Sequence, residues 1–336
     1  MRWKFSTSQW QTTSWKIDLS AMTPTFQTIR DAHTRIKPHI HRTAVLSSTI
    51  LNTQVGAELF FKCENFQKVA AFKARGACNA VMSLTEEQAR HGVVTHSSGN
   101  HGAALAWAAR LRGIKATVVV PENAPAPKKR AIAAYGADIV YCAPNVVARE
   151  AAVAALIEKH GYLLIHPFDN DLVIAGQGTA TIELLEEKPD LDMVIAPLGG
   201  GGLLSGTSIA AKGMKPDIRV FGAEPRGADD GYRSLTSGVR VTEQTPETIC
   251  DGLRTTLSER TFNIIRANVD GIGVASEENV IKAMRMTWEL LKIIIESSCS
   301  PPLGAILEGN IDVKGKRVGI ILTGGNVDLD KLPWQS

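Results

Sequence analysis

Three groups of residues in this chain have types and spacings suited to chemistry. Gly199-Gly200-Gly201-Gly202 follows the apolar run Met193 to Ala196 and precedes Leu203-Leu204-Ser205-Gly206, a helix start. Adjacent glycines let backbone N–H groups and a helix N-terminus close around an anion, and a phosphate is the obvious guest. The spacing is neither G-x-G-x-x-G nor G-x-x-x-x-G-K-[ST], which argues against a dinucleotide or Walker-type loop. A single tight turn rarely needs four glycines in a row. Lys73, in Ala71-Phe72-Lys73-Ala74-Arg75-Gly76-Ala77, would alone be read as a solvated charge, and gains interest only from its company. Ser97-Ser98-Gly99-Asn100-His101-Gly102 gathers hydroxyl, amide and imidazole groups directly after a β-branched run.

The elements that must position these groups alternate along the chain. Short strand-like runs (Val93 to Thr95, Ala116 to Val120, Leu163 to Ile165, Met193 to Ala196, Ile218 to Phe221, Val318 to Leu322) are separated by Ala-rich helical stretches. The latter include Ala103 to Leu111, Ala126 to Ala134, Ala148 to Lys159 and Thr179 to Glu187. Such alternation predicts a parallel, doubly wound α/β protein. Three runs end in small-residue loops, Val93 to Gly102, Met193 to Gly202 and Val318 to Asp328. Ligands of open α/β sheets collect beyond the carboxyl ends of strands, so one site built from all three loops is expected.

Composition narrows the classes. With 336 residues, 44% hydrophobic and 21% charged, the chain reads as a globular protein large enough for two lobes. A net charge of +3 without a long basic run gives no case for a nucleic-acid or membrane partner. Cys63, Cys78, Cys142, Cys250 and Cys299 form no C-x-x-C pair, and their odd number suits idle thiols in a reducing, cytoplasmic setting. Residues 1–22 lack the apolar core of a secretory signal and are expected to be a disordered extension, or to precede a true start at Met22.

Seven ordered motifs carry a resemblance. Phe61-Lys62-Cys63-Glu64, Phe72-Lys73-x-Arg75-Gly76-Ala77 and Ser97-Ser98-Gly99-Asn100-His101-Gly102 come first. Ala175-Gly176-Gln177-Gly178-Thr179, the tetraglycine loop, Ala223-Glu224-Pro225 with Ala228-Asp229-Asp230, and Thr323-Gly324-Gly325-Asn326-Val327-Asp328 follow. Together, from about Phe26 to Leu329, they resemble serine racemase and the serine/threonine dehydratases, fold-type II enzymes of pyridoxal 5'-phosphate. The resemblance implies a large cofactor domain from residues 23–91 and 168–332, with a smaller α/β domain, residues 92–167, inserted and closing over the substrate. It also implies a homodimer.

The same resemblance implies roles. Lys73 would carry the cofactor as an imine and move the substrate's Cα proton, which requires an amine that can lose its charge. Gly199 to Gly202 would hold the phosphate, and Leu203 and Gly252 would also contact the cofactor. Phe72 would pack on the ring and Asn100 would meet its hydroxyl oxygen. Thr323 would face the pyridine nitrogen, where a hydroxyl supports a protonated ring less strongly than an Asp. Ser97, Ser98, Asn100 and His101 would cradle the substrate, with Ser98 as acid/base on the face opposite Lys73. Ser98 reads equally as a helix N-cap, and His101 alone as a capping or packing histidine. Arg149 aligns with an arginine that can reach the substrate carboxylate, or is a solvated helix residue. Glu224, Asp230 and the carbonyl of Ala228 match a site for Mg²⁺ or Ca²⁺, although Asp229-Asp230 could otherwise be an exposed acidic turn.

Two departures bear on specificity. Val69-Ala70-Ala71 stands where the family has Thr-Gly-Ser or a close relative, and Glu296-Ser297-Ser298-Cys299-Ser300 replaces Glu-Pro-[ST]-Ala-Gly. His166-Pro167-Phe168-Asp169 resembles the dehydratase form of its loop. The residues after Asp328 leave no room for a regulatory domain, so feedback through one is not expected. The expected reaction is dehydrative deamination of serine, threonine or a relative such as 3-hydroxyaspartate. Amino-acid racemisation is the alternative on the same scaffold, and a cofactor-binding protein without turnover is a further one.

Overall fold

The computed structural model describes residues 24–335 apart from Ser98 and Pro125, and the side chains of residues 126–128 and 146 also lie outside the description. The N-terminal extension and the Ser98 hydroxyl therefore lie outside the described residues. Ten strands form two sheets: β1 (Val45–Leu46), β2 (Glu58–Cys63), β3 (Val93–His96), β4 (Ala116–Pro121), β5 (Asp138–Cys142), β6 (Leu163–Leu164), β7 (Met193–Pro197), β8 (Arg219–Pro225), β9 (Gly271–Ala275) and β10 (Arg317–Leu322). The larger sheet has the order β1-β2-β10-β7-β8-β9 and the smaller the order β5-β4-β3-β6. Among the strand pairings of the described residues only β1–β2 is antiparallel. This is the parallel α/β architecture that the alternation of runs predicts, in the two-sheet form that the resemblance implies.

The strand sequences follow from their burial. Met193 to Pro197 is buried at every position, because helices cover both faces of the sheet, and a two-sided strand reads as a continuous apolar run. Helix starts are written as side-chain caps. Asn145 accepts the N–H of Ala148 and Asn170 that of Val173, fixing the starts of helices Val146–His160 and Asp171–Glu187. The helix Lys73–Met82 packs against both Asn100–Arg112 and Asp171–Glu187, so it lies between the two sheets. Its approach to the second of these is close enough that a Cβ at Gly176 would lie 2.6 Å from the Arg75 carbonyl oxygen. No described helix is long and apolar enough to cross a membrane.

The segment leading into Lys73 is strained. Val69 and Ala70 have φ of 55° and 52°, the left-handed region that disfavours side chains. Hydrogen bonds hold it there: Asn326 Nδ2 donates to the Val69 carbonyl at 2.9 Å and Gly325 N to the Ala70 carbonyl at 3.0 Å. Ala71 bridges Gly324, and Phe72 N donates to the Thr323 carbonyl at 2.9 Å. The departure from a Gly-containing pattern thus places alanine in a conformation suited to glycine. Ala70→Gly is expected to stabilise the protein by roughly 0.5–1 kcal/mol, since relief of left-handed strain outweighs the added chain entropy. A denaturant midpoint that falls in the variant would contradict this reading.

Candidate active site

The loops after β3, β7 and β10 meet at one cavity of about 990 Å³. Lys73 opens its helix at this cavity and keeps part of its surface open to it. Its Nζ donates to the Pro167 carbonyl at 2.7 Å and lies 5.0 Å from the centre of the Phe72 ring. Desolvation lowers the ammonium from its ordinary range to about 8. Roughly a tenth of the amine is therefore uncharged and nucleophilic at neutral pH, far more than for an ordinary lysine.

Across the cavity run Gly199 to Leu203. Gly201 adopts φ +88°, and Cβ atoms at Gly200 and Gly202 would run into Phe168. Thr261 Oγ1 donates to the Gly200 carbonyl at 2.9 Å, pinning the loop from behind. The helix Gly202–Met214 starts here, and the first N–H groups of a helix have no acceptor within it. Gly252 lies on the same wall, its N–H donating to Ser298 Oγ at 3.0 Å.

Asn100 is held at both ends of its amide. Its Nδ2 donates to Glu296 Oε1 at 2.8 Å and its Oδ1 accepts from Asn326 Nδ2 at 2.9 Å. Thr323 is nearly buried and lines the cavity. His101 Nε2 lies 3.0 Å from the Ile165 carbonyl, so that nitrogen carries the proton. Its Nδ1 is buried with no hydrogen-bond partner among the described residues. Desolvation, reinforced by the charge of Lys73, holds His101 well below the usual imidazole range. In this neutral tautomer the unprotonated Nδ1 is an acceptor and not a donor.

Ser97 and half-buried Arg149 also line the cavity, Arg149 from the helix Val146–His160. Glu224, Ala228 and Asp230 do not; they lie elsewhere in the protein interior.

Two further histidines join the site without a signal in the sequence spacing. His166 Nδ1 accepts the N–H of Asp169 at 2.8 Å, which places its proton on Nε2. Burial, aided by nearby His96, draws its pKa to about 4. Its ring meets His96 edge-on, with centroids 5.1 Å apart. His166 is thus a neutral N–H donor, fixed in one tautomer, on the wall that also carries the acceptor of Lys73.

A desolvated lysine and a glycine cradle at a helix N-terminus fit pyridoxal phosphate. A model of the family described as "Pyridoxal-phosphate dependent enzyme" matches residues 36–324. Fold and site together define an enzyme of this class, of fold-type II. Serine racemase of Dictyostelium discoideum is 53% identical over 92% of this chain and 97% of its own length. The beta-hydroxyaspartate dehydratase of Paracoccus denitrificans is 47% identical over 93% and 99%. The structure of maize serine racemase superposes with a TM-score of 0.90 at 44% identity, covering 92% of this chain and 95% of that one. The chain belongs to the family of serine racemases, hydroxyaspartate dehydratases and threonine deaminases.

Proposed function

We propose that this chain converts a β-hydroxy amino acid, such as serine, threonine or 3-hydroxyaspartate, to a 2-oxo acid and ammonia. Lys73 carries the reading: a desolvated amine lines a cavity that also carries a glycine loop suited to a phosphate. The bound cofactor would supply an electron sink that acidifies the substrate's Cα–H. Gly199 to Gly202 would hold its phosphate end, Phe72 its ring, Asn100 its ring hydroxyl and Thr323 its ring nitrogen, with Leu203 and Gly252 also against the cofactor.

Lys73 then removes the Cα proton from one face. Ser97 and Asn100 supply donors to the substrate carboxylate, with Arg149 at the wall as its charge partner. His101, as an acceptor, orients a donor in that cradle. His166 Nε2–H is suited to hold the β-hydroxyl, and its neutrality over the physiological range makes it an orienting group and not a strong acid. The small domain, residues 92–167, closes over this arrangement and excludes water.

Racemisation is a second reading, favoured by the 53% identity to the Dictyostelium serine racemase. Returning a proton to the other face needs a second acid/base there, and Ser98 is that group in this account. Elimination needs only the Lys73 face. Ser98→Ala is therefore expected to suppress racemisation and turnover of the D-enantiomer by about 10²–10⁴-fold, while L-substrate dehydration survives at a reduced rate. Chiral chromatography run beside 2-oxo acid release reads both. Undiminished racemisation in the variant would assign the second face to another group.

A divalent cation is the second part of the proposal. Glu224 and Asp230 are fully buried, and Glu224 accepts the N–H groups of Gly231 and Tyr232 at 3.1 and 2.8 Å. Desolvation raises both carboxylates, Asp230 to about 6, and for Glu224 the proximity of Asp230 adds to it. Arg233 pairs with Asp229 instead. Two buried acids, with the Ala228 carbonyl as a third oxygen, would suit a hard cation such as Mg²⁺ or Ca²⁺, with water completing the shell. Among the described residues no three His, Cys, Asp or Glu side chains converge as a metal cluster, so one ligand would be the backbone oxygen. Asp230 also accepts from Gln244 Nε2 at 2.7 Å, and Gln244 lines the cavity, which would tie the ion to the cavity wall. Chelation is expected to lower the melting temperature, and added ion to restore it in a concentration-dependent way. Asp230→Ala should lose that response; an identical response in both proteins would exclude the site.

A further inference from the structure

Gly199, Gly200 and Gly201 line the cavity, and none of their three N–H groups meets an acceptor among the described residues. The Gly201 carbonyl accepts the N–H of Ser205 at 2.9 Å and so belongs to the helix Gly202–Met214. The Gly200 carbonyl turns instead to Thr261, a fully buried residue that does not line the cavity. The peptide between Gly200 and Gly201 is trans, so its C=O and N–H point in opposite directions. With the Gly200 oxygen on Thr261, the Gly201 N–H faces the cavity side.

Proton counting fixes the direction of that contact. Asp169 is ion-paired to Arg260 at 2.6 Å and can only accept. Ser258 Oγ therefore donates to Asp169, at 3.0 Å, and accepts the N–H of Thr261 at 3.2 Å. Thr261 Oγ1 in turn accepts the N–H of Ser258 at 3.0 Å and has one proton left to give. Of its acceptors, the Gly200 carbonyl at 2.9 Å is nearer than Ser258 Oγ at 3.1 Å or the Ser258 carbonyl at 3.3 Å. A valine at 261 would keep the shape and remove this donor. The peptide, flanked by two glycines, is then free to turn over and set the Gly200 oxygen where the Gly201 N–H stood. An oxygen there repels an anion.

We infer that Thr261 is a positioning residue for the cofactor's phosphate: by holding the Gly200 carbonyl, its hydroxyl aims the Gly201 N–H into the cup. This rests on the cofactor reading above, in which Gly199 to Gly202 hold the phosphate. Thr261 acts from behind the loop and sets phosphate affinity without entering the cavity. Ser258 extends the same chain of hydroxyls to Asp169, whose own N–H fixes the tautomer of His166. The phosphate loop and the loop of the substrate wall are thereby tied to one helix start, that of Glu259–Asn268.

The test titrates pyridoxal phosphate, and pyridoxal as the analogue without phosphate, into the full-length chain of wild type, Thr261→Val, Thr261→Ser and Ser258→Ala. Thr261→Val is expected to weaken pyridoxal phosphate roughly ten- to a hundredfold, the scale of one hydrogen bond to a charged group, and pyridoxal by less than about twofold. The ³¹P resonance of the bound cofactor should shift in the same variant. Thr261→Ser keeps the hydroxyl and should bind both ligands as wild type does. Ser258→Ala loses the helix cap but keeps the Thr261 hydroxyl, so its melting temperature should fall while its phosphate affinity holds. Equal weakening of both ligands in Thr261→Val, or a Ser258→Ala variant that binds pyridoxal phosphate as poorly, overturns the inference. In wild type the Gly201 amide proton should move downfield with pyridoxal phosphate and not with pyridoxal. A proton that does not move overturns the inference even if Thr261→Val does not fold. Borohydride trapping on Lys73 of wild type separates the two failures: an absent label sinks the cofactor reading, whereas a label with unchanged affinity in Thr261→Val sinks only the role of Thr261.

Discussion

Lys73→Ala is expected to lose at least about 10⁴-fold in turnover while the protein still folds, because one amine both anchors the cofactor and moves the proton. No other lysine lines the cavity among the described residues. The variant should also lose the visible absorbance of lysine-bound pyridoxal. In wild type, cofactor capture should accelerate with rising pH and level off above about 8, as the desolvated ammonium gives up its proton. Borohydride reduction followed by peptide mapping is the direct check. A pyridoxyl label on any lysine other than Lys73 would contradict the assignment.

The second large effect is on stability. Arg75, two residues beyond Lys73, is fully buried, and its guanidinium uses all five donors. Nε and Nη2 hold Glu64 at 2.7 and 2.8 Å, Nη1 and Nη2 hold Glu183 at 2.9 and 2.7 Å, and Nη1 reaches Thr179 Oγ1 at 3.1 Å. Lys62 donates to Glu183 at 2.6 Å and to the Thr43 carbonyl at 2.8 Å. Two cations thus neutralise two anions in the interior. Burial alone would lower Arg75, but Glu64 and Glu183 more than reverse this. Arg75→Met leaves a net buried negative charge, so a loss of about 3–5 kcal/mol is expected. Arg75→Lys should restore little, since three donors cannot replace a five-donor fork. Urea unfolding measures both, and a loss below about 1 kcal/mol for Arg75→Met would contradict the network's role.

This network also marks how far the sequence could be read. Alternating apolar runs and Ala-rich stretches are local signals, so the parallel α/β architecture and the three loops at strand ends were legible. Lys73 and the glycines stand in ordered motifs and were legible as a resemblance. Lys62, Glu64 and Arg75 stand in those motifs too, yet their partner Glu183 lies far along the chain, and only the packed fold brings it to them. The pinning of Asn100 by Glu296 and Asn326, and of Gly200 by Thr261, is likewise long-range. The tautomers of His101 and His166 depend on which backbone group each ring meets, and residue spacing does not encode that. The strain at Val69 and Ala70 became visible only as a backbone angle, although the missing glycine was its trace in the sequence.

β-Elimination on a β-hydroxy amino acid is the activity proposed for this cavity. Its most direct test is to incubate the holoenzyme with both enantiomers of serine, threonine and 3-hydroxyaspartate, following 2-oxo acid and ammonia release alongside chiral composition. Equal amounts of 2-oxo acid and ammonia from at least one L-substrate, abolished by Lys73→Ala, are the expected result. Loaded, folded enzyme that interconverts enantiomers but releases no 2-oxo acid from any of them would contradict it.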